Sequence, residues 1–539
     1  MASYVEGWNR FQQGCQPLSL GSPESLDLYR VSTAVLRTHE DKSHPGAMIA
    51  SLSVPWGFER GDHDLGGYHL VWPRDLVESA GALVAAGRAV DARRALTFLA
   101  ATQEADGHWP QNMWLDGQAY WGGVQLDETG FPILLADLLR RHDALDGIDP
   151  WPMVRRAAAY LALNGPVTPQ DRWEEDAGYS PFTLAVTVAA LLAAADFAAE
   201  AGEASLAGYL RDTADVWNDG IERWTWVGGS ALAQRLGVDG YYTRIAPPDV
   251  ADGASPATGF IPIKNRPPDH SRARYGEIVS PDALALVRFG LRDPHDRRIR
   301  DTIRVIDSLL RTETSSGPVW HRYNEDGYGE HEGGAPFDGT GVGRGWPLLA
   351  GERAHYEVAA GDVAAARALA AVMRAQASPG GFLPEQVWDA PDVAERELFN
   401  GRAAGSAMPL VWAHAEYVKL ARSLADGKVF DTPPQTLQRY ASARSEPRLW
   451  AWRFNNRTRT MPEGRTLRIE VRSRAVVRWS SDEWATAHDS PTVDSGLGIH
   501  YADLPTDRVT AGARIAFTFR WPEAGRWEGT DFEVAIRAA

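Results

Sequence analysis

Over roughly its first 425 residues the chain reads as one helix-like segment after another, and that rhythm restricts the folds open to it. The segments lie at 23–40, 74–87, 89–104, 126–141, 150–164, 181–201, 204–224, 281–291, 294–312, 346–360, 362–377 and 405–424, twelve in all. Asp149-Pro150, Ser180-Pro181, Ser280-Pro281 and Asp293-Pro294 each set a capping side chain before a proline at the first helical position. Gly87, Gly202, Gly290 and Gly361 fall near the ends. The alanine-rich stretch Ala185 to Ala201 suits a helix packed closely on both sides. Twelve helices in sequential pairs predict an (α/α)6 toroid, six inner and six outer. A solenoid would give a similar number, but no repeat of fixed period is visible. Long loops at 105–125, 165–180, 226–279, 313–345 and 378–404 hold most of the Trp, Gly and acidic residues. Such loops in a compact domain are usually functional.

Near Thr432-Pro433-Pro434 the pattern changes. Leu467, Ile469 and Val471 alternate with Arg468, Glu470 and Arg472. Ile515, Phe517, Phe519 and Trp521, then Phe532, Val534 and Ile536, keep the same two-residue period. These are strands with one buried face. The chain therefore divides into a linker remnant at 1–26, a helical barrel at 27–424, a connector at 425–444 and a small β-sandwich at 445–539. The fold class is mainly α with a C-terminal β domain.

A hydrophobic fraction of 44% over 539 residues is ample for a large core, and 23% charged residues make disorder an unattractive reading. The net charge of −16 argues against nucleic acid, an anionic membrane surface and polyanionic substrates. Cys15 is the single cysteine, which rules out an internal disulfide and a cysteine-based zinc site. No basic segment followed by an apolar stretch opens the chain, so no signal peptide is visible. The longest apolar run, Leu184 to Ala195, is short for a bilayer and reads as a buried helix. His63, His69, His108, His321 and His331 show no metal-ligand spacing. No metal or other cofactor is expected, with a structural calcium in the acidic loop 324–338 left open.

Two carboxylate motifs stand out, Arg172-Trp173-Glu174-Glu175 and Pro384-Glu385-Gln386-Val387-Trp388-Asp389. Each sets glutamate beside tryptophan. Two acids on separate loops framed by flat rings are what the cleavage of a glycosidic bond requires: one protonates the leaving oxygen and the other prepares a water. The residues alone leave blander readings open. Glu174-Glu175 is also a solvated acidic turn. Arg74 and Asp75, opening a helix beside Trp72, are either a surface arginine with a capping aspartate or a clamp on sugar hydroxyls. Gln125, Asp127 and Glu128 are either acids and amide favoured at a helix start or hydrogen-bonding groups at a pocket rim. Trp388 is either pocket wall or core.

The motifs Ser51-Leu52-Ser53-Val54-Pro55-Trp56-Gly57, Gly67-Tyr68-His69-Leu70-Val71-Trp72-Pro73-Arg74-Asp75, Gln125-Leu126-Asp127-Glu128-Thr129 and Trp173-Glu174-Glu175 occur in one order. Trp320 to Gly329, Arg344-Gly345-Trp346-Pro347, Pro384-Glu385-Gln386 and Gly405 to Trp412 follow them. Together, over about residues 27–424, they resemble glycoside hydrolase family 15, the glucoamylase and glucodextranase family. The resemblance implies an (α/α)6 barrel and an exo-acting, inverting α-glucosidase acting on an α-glucan or gluco-oligosaccharide. It implies Glu174 as general acid, Glu385 as general base and Tyr68 as a holder of the attacking water. Arg74, Asp75, Glu175 and Arg322 become sugar-binding groups, and Trp72, Trp173 and Trp346 pocket aromatics. Family members from bacteria usually carry a β-sandwich ahead of the barrel, whereas this chain starts almost at the linker, with Tyr4 to Gln13. A missing N-terminal domain, the oligomeric state and the localisation are therefore open. An α-1,4 preference is expected, with α-1,6 hydrolysis or glucosyl transfer as the alternative. An inverting phosphorylase or a non-catalytic glycan binder would be a different class. Glu385 standing where a base belongs disfavours the first, and the presence of both acids disfavours the second.

Overall fold

The computed structural model describes residues 2–18, 20, 23–56, 67–248, 259–441 and 448–538; Gly57 and His63 of the motifs above, and part of the 226–279 loop, lie outside them. Six helical elements form a closed inner ring: Pro73–Ala85, Leu126–Arg141, Pro181–Glu200, Pro281–Arg288, Pro347–Ala359 and Val411–Asp426. Each packs on the next and the last on the first. Between them in sequence come the outer helices Pro23–Thr38, Ala89–Thr102, Trp151–Asn164, Ala204–Thr225, Arg297–Leu309 and Val363–Gln376. This strict inner–outer alternation is the (α/α)6 barrel. The two classes differ in sequence as burial demands. Pro181–Glu200 is long and apolar enough to cross a membrane, but here it is enclosed by protein almost throughout. Arg297–Leu309 buries Ile299, Ile303 and Ile306 on one stripe and turns Arg298, Arg300 and Arg304 away.

Four of the inner elements begin with proline, at Pro73, Pro181, Pro281 and Pro347, where its missing N–H costs nothing and its fixed φ favours the helix. Ser180 and Ser280 cap their helices through Oγ. Three boundaries depart from the sequence reading. The segment expected from 294 starts at Arg297, because Asp296 rather than Asp293 supplies the cap, accepting from Arg298 N at 2.8 Å. The segment expected from 405 starts at Val411, since the residue before Pro409 is barred from helical backbone. The segment 281–291 is a 3-10 turn, Pro281–Leu284, running into a single α turn, Ala285–Arg288. Residues read as a linker remnant contain the helix Ala2–Gly14, whose Phe11 lies under the Arg88 guanidinium.

The C-terminal strands form two sheets. One runs Val493–Asp494, His500–Leu504, Thr466–Val471, Leu449–Arg453; the other runs Thr460–Pro462, Phe532–Arg537, Arg514–Trp521, Val476–Ser480, His488–Pro491, with Arg526–Trp527 beside Arg514–Trp521. Between the sheets Leu467, Ile469, Ile515, Phe517, Phe519, Val534 and Trp452 bury one another, as their two-residue alternation requires. The sandwich is tied to two outer barrel helices by hydrogen bonds from a buried ion pair of its own. Buried Arg453 pairs with Glu470, donates to Ala162 O and reaches Tyr209 Oη at 3.4 Å, and Tyr209 donates to Glu470 at 3.2 Å.

Removing one member of a buried ion pair leaves the other uncompensated, which costs about 3–5 kcal/mol. Arg453→Ala is therefore expected to lower the denaturant midpoint by that equivalent. The double replacement Arg453→Met with Glu470→Met is expected to lose less, because no charge remains buried alone.

Candidate active site

The inner ring places its helix N-termini, the ends with free N–H groups and a positive dipole, around one cavity of about 330 Å³. Trp72, Gln125 and Trp346 are the residues before the first turns of three of these helices; Arg74, Asp75, Asp127, Glu128 and Trp412 sit in first turns. The remaining wall comes from the connecting loops, above all those carrying Glu174, Arg322 and Glu385.

Glu174 lies in a tight turn, its N–H bonded to Asp171 O at 2.9 Å, with φ at +67°. Left-handed backbone at a residue with a side chain is strained and persists only where its surroundings over-determine it. Two buried arginines do so here. Arg172 makes a bidentate pair with Glu352 at 2.7 and 3.1 Å, meets Asp282 at 2.7 Å and lies 4.4 Å over both Trp173 and Phe182. Arg244 grips the other side of the turn, contacting Asp171 at 3.4 Å, Glu175 at 3.0 Å and Asp176. The Glu174 carboxyl then takes one donor per oxygen, Trp72 Nε1 at 2.7 Å and Gln111 Nε2 at 2.6 Å.

Glu385 stands on a segment held from three sides. Its N–H bonds Ala407 O at 2.8 Å, Gln386 N bonds Ser406 Oγ at 3.0 Å, and Leu383 N bonds His414 Nε2 at 2.9 Å. Tyr68 donates to Glu385 Oε1 at 2.5 Å, and the Tyr328 hydroxyl lies 2.5 Å from that of Tyr68. With Tyr68 donating to the carboxylate, Tyr328 must donate to Tyr68. The other oxygen, Glu385 Oε2, is buried and has no hydrogen-bond partner. A buried carboxylate oxygen without a donor calls for a ligand that supplies one. No hydrogen bond joins Glu174 to Glu385 among the described residues; each spends its bonds on its own wall.

Burial raises the pKa of both carboxyls, pushing Glu385 up to about 7 against the pull of Tyr68 and Arg322. For Glu174 the neighbouring Glu175 is not among the main causes; Arg74 and the Trp72 N–H oppose the burial effect. Glu175 faces a different set of partners, accepting from Tyr323 Oη at 2.7 Å, Arg244 at 3.0 Å and Arg322 at 3.3 Å, and burial lifts it to about 7. Asp75 is likewise lifted to about 6 by burial.

The sequence-derived residues divide into two shells. Tyr68, Trp72, Arg74, Asp75, Trp173, Glu174, Glu175, Arg322, Trp346 and Glu385 all line the cavity. Arg322 is locked to Asp326 at 2.6 and 2.8 Å and lies 5.1 Å from the Trp173 ring and 5.0 Å from that of Tyr328. Gln125, Asp127, Glu128 and Trp388, read as substrate-binding, stand outside the lining and are fully buried. Gln125 and Asp127 hold Arg74 from behind at 2.7 and 3.0 Å, and Glu128, 3.8 Å from Arg74, is lifted well above its usual range by burial. Trp388 donates to Pro391 O and packs under Arg344. Gln125, Asp127 and Glu128 do open a helix, but their side chains lie against Arg74 rather than in the cavity. Tyr328, Trp121, Lys264 and Trp412, which line the cavity, and Gln111, which bonds Glu174, are not among the residues the sequence singles out. Tyr328 and Trp412 lay inside recognised motifs; Gln111 and Lys264 sit in irregular loops whose sequence carries no pattern. No group of three or more His, Cys, Asp or Glu side chains among the described residues has the arrangement of a metal site.

The profile of Glycosyl hydrolases family 15 matches residues 24–108 and 102–422. The chain belongs to that family. It is 41% identical over 443 residues to a glucoamylase of a Clostridium species, covering 82% of this chain and 58% of that protein. Its fold matches the crystal structure of a bacterial glucoamylase complexed with acarbose with a TM-score of 0.73 at 38% identity, covering 81% of this chain and 60% of the other. The glucoamylase of Hormoconis resinae shares the fold alone, with a TM-score of 0.52 at 13% identity and 96% coverage of both chains. The chain thus spans about three-fifths of the length of the bacterial relatives it resembles.

Because the Tyr68 hydroxyl favours the charged form of Glu385 and burial opposes it, Tyr68→Phe is expected to raise the Glu385 pKa further. One hydrogen bond corresponds to roughly 0.5–1 pH unit. Infrared difference titration of the carboxylate band, with Glu385→Gln to assign it, measures the shift; an unchanged midpoint contradicts the pairing.

Proposed function

We propose that the protein is an exo-acting, inverting α-glucoside hydrolase that releases β-D-glucose from the non-reducing ends of α-1,4-linked glucans or oligosaccharides. One observation supports this reading above the others: two buried carboxyls line one cavity, each held by its own donors, and one keeps an oxygen unpartnered. Inversion needs a water between base and anomeric carbon, and so two carboxyls that do not touch.

In this mechanism Arg74, Asp75 and Arg322 hold the hydroxyls of the terminal sugar, against the Trp72, Trp173 and Trp346 rings. Glu174, whose protonated form burial favours, gives its proton to the glycosidic oxygen as the C1–O bond breaks. A water bound to Glu385 Oε2 attacks C1 from the opposite face. Glu385 takes the water's proton while Tyr68 fixes the carboxylate through Oε1. Glu174 ends ionised, Glu385 ends protonated, and exchange with solvent restores both. Activity rises with pH as Glu385 ionises and falls as Glu174 does, giving a bell-shaped profile.

Glu174→Gln and Glu385→Gln are each expected to cut kcat by at least about 10²-fold, the lower range of general acid–base contributions. NMR of the first product from maltotriose is expected to show β-glucose; initial α-glucose, or full activity in either variant, contradicts the assignment. Parallel assays on isomaltotriose and trehalose test the α-1,4 preference, and the same assays with and without inorganic phosphate test against a phosphorylase.

A further inference from the structure

Of the cations lining the cavity, Arg74, Arg172 and Arg322 are each paired with carboxylates. Lys264 is different. It is exposed at the cavity mouth and forms no ion pair among the described residues; its one hydrogen bond runs from Nζ to the backbone oxygen of Glu174 at 2.5 Å. An ammonium has three N–H donors, so two remain. Its backbone is not that of a loose surface lysine. It follows the strand Phe260–Pro262, anchored by buried Ile261 and Ile263, with Ile263 N on Ser271 O at 2.8 Å. The next residues are pinned to the loop that carries Arg322: Gly341 N bonds Asn265 O at 3.2 Å, Arg266 Nε bonds Glu325 O at 2.8 Å, and a side chain at Gly327 would collide with Asn265.

Depth fixes what this lysine faces. The side chains of Arg74 and Asp75, the sugar clamp, are nearly closed off from solvent, whereas Lys264 is exposed at the mouth, as is Trp121, another lining residue. A terminal glucosyl unit seated on the clamp puts its glycosidic oxygen at Glu174, so the leaving sugar lies outward, between the Trp121 ring and the Glu174 backbone that Lys264 holds.

We propose that Lys264 recognises the leaving sugar: its two spare N–H groups bind hydroxyl oxygens of the unit on the outward side of the broken bond, while the third fixes the turn that carries the acid. This rests on the hydrolase reading above. A substrate without a leaving sugar separates the two parts. α-Glucosyl fluoride fills only the inner position and loses fluoride, whereas maltose needs the outer position as well.

With Lys264→Met, kcat/KM for maltose is expected to fall about tenfold, the equivalent of one hydrogen bond to a charged group, carried mainly by KM. The value for α-glucosyl fluoride is expected to fall several-fold less, and Lys264→Arg, which keeps charge and donors, to recover part of the maltose loss. Equal losses on the two substrates would overturn the assignment, leaving Lys264 a support of the Glu174 turn, as would an unchanged value on maltose. A wild-type protein inert on both substrates would instead overturn the hydrolase reading itself.

Discussion

The grip of two buried arginines on the turn Asp171–Asp176 is the constraint on which the site depends. Arg172 ties the turn inward, to Glu352 and Asp282 of the inner ring; Arg244 ties it to Asp171, Glu175 and Asp176. Between them Glu174 keeps a left-handed backbone that a glutamate would not adopt by itself. That conformation turns Glu174 toward Trp72 and Gln111 while Glu175 goes to Arg322, Arg244 and Tyr323. Two adjacent glutamates thus acquire separate electrostatic surroundings, one facing the neutral donors of Trp72 and Gln111 and the other facing arginine.

The barrel supplies the rest. Helix N-termini directed at one cavity offer positive dipole ends to a site crowded with carboxyls, and the arginines at 74, 172, 244 and 322 supply full charges. Burial still outweighs them, and Asp75, Glu175 and Glu385 are all lifted into the range from about 6 to about 7. Of these three only Glu385 takes up a proton in the mechanism proposed above, and a base whose pKa lies near neutrality suits that task. Rigidity comes from distant parts: the His414 ring on the last inner helix holds Leu383, two residues before Glu385, and Ser32 on the first outer helix lies 2.8 Å from the other nitrogen of that ring.

How much was legible in the sequence follows from what local pattern encodes. Helical pattern marks all twelve barrel segments, and the Ser-Pro starts at Pro181 and Pro281 fix two of them to the residue, since a cap acts within one turn. Boundaries failed where two caps competed, as at Asp293 and Asp296, or where Pro409 blocked an apolar stretch from continuing as helix. Glu174 and Glu385 are legible as candidates because each lies in a dense motif. The direction of a first-turn side chain was not legible: Asp127 and Glu128 sit where expected but face Arg74 rather than the cavity. Nor were partners brought in by loop geometry, such as Gln111 on Glu174, Arg244 across the turn and Lys264 at the mouth, which no spacing announces.

The central claim is that Glu385 and Glu174 serve opposite faces of one anomeric carbon. Chemical rescue tests it most directly. Azide needs no base to attack, so Glu385→Ala supplied with azide is predicted to regain turnover of α-glucosyl fluoride and form β-glucosyl azide, whereas Glu174→Ala is not. Formation of α-glucosyl azide by the Glu174→Ala variant would place the nucleophile on the acid's face and contradict the account.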